Sequence, residues 1–191
     1  MKRVLEILLF GLVTFGLLTL FSCEKEDLPI EYNIDELVFL IKSNQLDNYQ
    51  VEESKLSELR NVLYSKKYEL EEYLNIFLWE SSLYGYDFSY VKSHPIKLVK
   101  KENLYLQGRR VSGLAYGRDN DELIHIEIWW PHFNNEISSH ASFKIMFHEL
   151  GHDILNLNHS DDYVMMNSNI NYNKMSLEDF INLIPSLFII K

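Results

Sequence analysis

Residues 143–159 read FKIMFHELGHDILNLNH, and the spacing inside this stretch constrains the rest of the chain. From Ser142 to about Leu155 the pattern predicts a helix. Phe143, Phe147, Leu150 and Ile154 recur at i, i+4, i+7 and i+11 and make one apolar stripe. His148 and His152 are four residues apart, so on a helix they project about 40° from each other, one turn along the axis. Two imidazoles so placed can chelate one ion, since zinc takes histidine nitrogen at about 2.0–2.1 Å. Glu149 lies about 100° round from His148, near enough to hold a water at such an ion without being a ligand. The apolar stripe falls about 200–260° from His148, so one face packs while the other presents the histidines.

Two histidines leave a catalytic zinc one protein ligand short. His159 is seven residues beyond His152. On a continued helix it would lie about 10.5 Å further along the axis, out of reach of the same ion. The chain must therefore break and turn back. Asn156 is placed to do this, because Asn enters the left-handed backbone region more readily than other non-glycine residues. Asn158 adds a second residue unfavourable to helix.

At these residues the sequence resembles the zincins, whose HExxH signature uses the Glu as general base. HELGHDILNLNH followed by SDDYVMMNS resembles the metzincin clan more closely, with its HExxHxxGxxH pattern and later Met-containing turn. Here Asn156 stands for the helix-ending Gly with one extra residue before it, and the third His falls one position late. Met166, seven residues after His159, is the residue that matches the Met turn, with Met165 as the alternative. The resemblance implies a zinc-dependent endopeptidase that hydrolyses peptide bonds of a peptide or protein substrate with a metal-activated water. One catalytic Zn2+ would be held by His148, His152 and His159, with Glu149 as general base. In this clan an antiparallel strand near the cleft aligns the substrate, and the 122–130 segment is the candidate strand. Tyr163 and Tyr172 lie near the Met turn and could support an oxyanion. A gluzincin arrangement would instead complete the site with Glu178, 26 residues after His152; Asp161 and Asp162 are further choices. His125, His132 and His140 read as surface or supporting residues, and His94, before Pro95, as a turn residue.

Upstream, strand signals begin after Pro95, at Ile96–Val99. Segments 110–117 and 122–130 read as a β-hairpin around Gly117-Arg-Asp-Asn-Asp121, the second closed by Pro131. Ile124, Ile126 and Ile128 take one face of the second strand; His125, Glu127 and Trp129 take the other. Between the strands, Glu102–Gly108 reads ENLYLQG, one residue from the site of a protease used to remove expression tags. Ile34–Leu46 and Val51–Leu83 are helical in pattern, with Leu70, Tyr73, Leu74 and Leu78 at helical spacing and Gly85 as terminator. A last helix is predicted over Leu177–Ile184, with Ser176 as N-cap and Pro185 as its stop. These elements give an α+β, zincin-like class: a small twisted mixed sheet packed on an N-terminal helix and the histidine helix, with a C-terminal helix. Over roughly residues 66–170 the series resembles small secreted Bacteroidetes metallopeptidase-like lipoproteins.

The N-terminus supports that resemblance. Lys2 and Arg3 precede the uncharged apolar run Ile7–Phe21, which has signal-peptide length. Leu20-Phe-Ser-Cys23 resembles a bacterial lipobox, and Cys23 is the chain's single cysteine. The expected division is a lipoprotein signal peptide at 1–22, a lipidated Cys23 and tether at 23–33, and a single domain at 34–191. The implied location is the bacterial cell envelope: the outer membrane, reached through a lipid anchor. Glu24-Lys-Glu-Asp27 resembles the surface-export signal of Bacteroidetes lipoproteins. The formal net charge is −10, and near −11 once Lys2, Arg3 and Glu6 leave with the signal peptide. No basic stripe remains to neutralise phosphates, so nucleic acid is not an expected partner; a monomer is expected. The rival functional classes are a non-catalytic surface lipoprotein on the same scaffold, binding a protein or glycan, and a zinc-scavenging lipoprotein.

Overall fold

The alternating run Ile124–Trp129, with a β-branched isoleucine at every second position, forms the central strand of the sheet. The computed structural model describes residues 33–45, 51–117, 123–161, 164–167 and 175–189, all within the compact unit Asn33–Lys191. In chain order the strands are β1 (Ile96–Lys101), β2 (Tyr105–Leu106), β3 (Arg109–Arg110), β4 (Gly113–Ala115) and β5 (Ile124–Trp129). β5 pairs parallel with β1, Ile96 opposite Ile124, and antiparallel with β4, Gly113 opposite Ile128. The result is a three-stranded mixed sheet in the order β1-β5-β4. β2 and β3 form a separate small hairpin whose turn, Gln107-Gly108, has positive φ at both residues, the backbone a tight two-residue hairpin requires. On β5 the alternation is realised as expected: Ile124, Ile126 and Ile128 are buried, and His125, Glu127 and Trp129 are half-buried.

The helices are α1 (Ile34–Lys42), α2 (Glu53–Tyr64), α3 (Leu70–Ser82), α4 (Ser139–Asp153) and α5 (Leu177–Phe188). Asn33, Ser138 and Ser176 cap α1, α4 and α5 through their side-chain oxygens, as short polar residues do at helix starts. The core is aromatic. Tyr64 meets Phe143, Phe147 and Phe180 edge-on, and Tyr73 meets Phe133 and Phe143 in the same manner. A buried polar contact fixes α2 against α3: the wholly buried Glu80 takes the Arg60 guanidinium and, at 2.5 Å, the Tyr64 hydroxyl. Among the described residues no helix is long and apolar enough to cross a membrane.

Three expectations change. The helical pattern over 51–83 is two helices, interrupted at 65–69 where Lys67 turns inward to the Phe133 carbonyl and the Ser142 hydroxyl. Pro185 does not stop α5, which runs on to Phe188 because Leu187 and Phe188 are buried in the core. α4 is buried on nearly every side, with Ala141 through Gly151 all inside, so its apolar stripe understates its packing. The predicted elements at residues 1–32, including Cys23 and the lipobox, lie outside the described residues.

Candidate metal centre

α4 carries the site because it is anchored at both ends. Ser138 caps its start, and the Ile154 N–H closes its last turn on the Leu150 carbonyl. Asn156 adopts φ 54°, the left-handed conformation predicted for it. The chain reverses there, and the Leu157 N–H closes onto the Gly151 carbonyl at 3.1 Å. That reversal brings His159 back over the helix. The Ser160 N–H then meets the Met166 carbonyl at 3.3 Å, joining the His159 loop to the short 3-10 turn Val164–Met166.

His148, His152 and His159 converge, with one ring nitrogen from each inside a 4.8 Å cluster. His148 Nε2 lies 3.1 Å from the Nε2 of each of the other two. Zinc–nitrogen bonds of about 2.0–2.1 Å at tetrahedral angles place ligand nitrogens about 3.3 Å apart, so the spacing fits one ion. The tautomers fit as well. His148 Nδ1 donates to the Met165 carbonyl at 2.9 Å, and His152 Nδ1 donates to the Leu157 carbonyl at 2.6 Å. With Nδ1 protonated and held, the Nε2 lone pair of each faces the cluster, as ligand histidines require. Burial, with smaller repulsions from His152, His159 and Lys144, lowers the His148 pKa to about 4 against the opposing Met165 carbonyl, so this ring is neutral at pH 7.

The turn carrying Met165 and Met166 packs beneath this face, and both methionines are fully buried. A Cβ added at Gly151 would come within 2.9 Å of Met166 Sδ. The absence of a side chain at 151 is therefore what lets the methionine turn close on the helix.

Glu149 and Asp153 form a second i, i+4 pair on α4, and both face β4. The Glu149 side chain is buried against Gly113, where an added Cβ would fall 2.7 Å from its Cγ and Oε1. The Ala115 N–H lies toward its carboxyl and favours the charged form. Burial, together with repulsion from Asp153, raises the Glu149 pKa to about 8 despite that N–H. Asp153 Oδ2 accepts the Gly117 N–H at 3.0 Å and the His125 N–H at 3.2 Å, tying the turn end of the β4–β5 hairpin to the helix. Burial raises its pKa to about 6, against the pull of both N–H groups. Asp153 was not singled out in the sequence. Its signal was there, four residues after Glu149 and therefore on the same side of the helix.

The other candidates do not enter the cluster. Glu178 and Asp161 are exposed and outside the group of converging ligand atoms; Asp162, Tyr163 and Tyr172 lie outside the described residues. His125 stacks on Tyr116 beside Glu127, and His132 stacks on Trp129 and meets Glu136 at 2.9 Å. His140 binds the Met175 carbonyl, and His94 the Tyr90 carbonyl within a turn. The strand proposed to align a substrate is corrected. β5 is hydrogen-bonded on both sides, so it has no free edge, whereas β4 is an edge among the described residues.

Comparison with protein-family models, curated proteins and solved structures gives no match to this chain. The fold and site by themselves define an α+β protein whose three-histidine cluster could hold a metal ion.

Proposed function

We propose that this protein is a zinc-dependent endopeptidase of metzincin-like type. His148, His152 and His159 hold the ion, Glu149 is the general base, and Met166 is the Met-turn residue. One observation supports the reading most. Three Nε2 atoms converge, two of them in rings whose Nδ1 donates to a main-chain carbonyl, beside a buried glutamate one residue from the first histidine. A lone pair of exposed helix histidines has no need of such fixed tautomers.

Zinc, when bound there, supplies Lewis acidity to a peptide carbonyl and to water. The chain's own groups do the rest. His148 and His152 are oriented by the Met165 and Leu157 carbonyls, so their ligand nitrogens are fixed before any ion arrives. Glu149, walled in by Gly113 and Ala115, sits in a dry position where its carboxyl can take a proton and return it to a leaving amine. The Gly113 and Ala115 carbonyls on the β4 edge are the acceptors available to align a substrate backbone.

The N-terminal reading belongs to the same proposal: export, lipidation at Cys23, and anchoring at the outer membrane facing peptide or protein substrates. Incorporation of labelled palmitate into the parent but not into Cys23→Ser tests it.

The zinc content of the purified protein and of His159→Ala, by elemental analysis after gel filtration, tests the site. One equivalent in the parent with a large loss in the variant is the expected result. Zinc retained in the variant moves the third ligand elsewhere and removes the metzincin assignment. Glu149→Gln then separates enzyme from binding protein, because a peptidase keeps its zinc and loses turnover, whereas a binding scaffold is indifferent.

A further inference from the structure

α4 presents two i, i+4 pairs side by side, His148/His152 and, one residue on from each, Glu149/Asp153. The first pair points to the metal cluster and the second to β4. Pairing with β5 uses the Tyr116 N–H, donated to the His125 carbonyl, and the Ser112 carbonyl, which accepts from Trp129. Alternation along the strand therefore turns the Ala115 and Gly117 N–H groups outward. Asp153 takes the second of these, and the first lies toward Glu149.

We propose that Asp153 is a positioning residue, the permanent anchor of the chain leaving β4, which leaves Glu149 free to act on a proton. The inference rests on the peptidase reading and goes beyond it. Two observations carry it. Asp153 is 3% exposed and bonds both sides of the hairpin's turn end, Gly117 just beyond β4 and His125 in β5, while Glu149 lies against Gly113 of β4. Position 117 admits only glycine: an added Cβ would lie 2.4 and 2.6 Å from the Asp153 oxygens and 2.1 Å from the Leu123 carbonyl. With its turn end held by Asp153, the hairpin stays fixed to the helix that carries the histidines whatever Glu149 does.

The test compares the parent, Asp153→Ala, Asp153→Asn and Glu149→Gln, each zinc-loaded and each with zinc content measured. Hydrogen exchange is followed over 113–117 and 123–126, and cleavage of a peptide library is assayed in parallel. In Asp153→Ala, amide protection at Gly117 and His125 is lost, zinc stays near one equivalent, and kcat/KM falls about 100-fold, the cost expected of an ångström-scale misplacement. Asp153→Asn, whose carbonyl oxygen can accept both N–H groups, recovers protection and most of the rate. Glu149→Gln keeps the protection at Gly117 and His125. Unchanged protection in Asp153→Ala, or lost protection in Glu149→Gln, overturns the assignment of the anchor. Full activity in Asp153→Ala overturns its positioning role. If the parent cleaves no peptide while the exchange results hold, the peptidase reading fails and takes the catalytic part of this inference with it, leaving Asp153 a fold residue only.

Discussion

Replacing Glu149 by Gln in the metal-free protein is expected to stabilise it, by an amount that depends on pH. Burial first, and Asp153 second, lift the Glu149 carboxyl from 4.5 to about 8, with the Ala115 N–H opposing. Below pH 4.5 the group is protonated in the folded and unfolded chain alike and costs nothing. Between pH 4.5 and 8 the unfolded chain ionises while the folded one keeps its proton, so the folded state loses stability steadily as pH rises. Above about pH 8 the loss is complete. A separation of about 3.5 pH units at about 1.36 kcal/mol each puts the ceiling on the order of 5 kcal/mol. Partial relaxation of the surroundings brings the working figure to roughly 2–4 kcal/mol. Gln is neutral throughout, nearly the same shape, and able to accept the Ala115 N–H. Urea denaturation followed by circular dichroism, in chelator, at pH 5 and pH 8.5 measures the difference. The two proteins should agree within about 1 kcal/mol at pH 5 and separate at pH 8.5, with Gln the more stable. His148 titrates nearby but is present in both proteins, so its contribution largely cancels, while loss of the repulsion with Asp153 adds to the advantage of Gln at pH 8.5. A gain of equal size at both pH values, or none at pH 8.5, refutes the account of Glu149 as a buried, uncompensated acid.

Three other outcomes are set by the packing. Asn156→Val forces a β-branched residue into φ 54° and should cost about 1–2 kcal/mol in a thermal melt, with weaker zinc retention because the turn that returns His159 is strained; Asn156→Gly should keep the turn. Gly151→Ala gains helix propensity, yet its Cβ would meet Met166 Sδ at 2.9 Å and Leu187 Cδ1 at 3.1 Å. The net effect should be a loss of about 1–3 kcal/mol in urea unfolding, and a gain in stability would show that the methionine turn is not closed on the helix. Glu80→Ala leaves Arg60 and Tyr64 without their buried acceptor and should lower stability by about 3–5 kcal/mol, read from the urea midpoint; a variant within about 1 kcal/mol of the parent would mean that water replaces the carboxylate.

The sequence by itself determined the histidine helix, the i, i+4 geometry of His148 and His152, the reversal at Asn156 and the alternation of β5. Each depends on neighbours a few residues apart, where the 3.6-residue turn and the two-residue pleat leave little choice. The hairpin from 110 to 130 was legible for the same reason. The sequence placed His159 ahead of Glu178 and the aspartates because Asn156 can break the helix, but bringing His159 onto the cluster depends on a loop closing against Val164–Met166. The edge of the sheet was also hidden. Whether β5 or β4 is the outer strand depends on β1, whose parallel pairing with β5 joins segments that share no local signal. Asp153 shows the difference most directly. As a residue it reads as a charge at the end of a helix, and only the approach of Gly117 and His125, 36 and 28 residues away, makes it a buried clasp. Local periodicity is written in one segment at a time, but a buried polar contact between distant segments exists only once the chain has closed around it, because its two halves are satisfied by water until then.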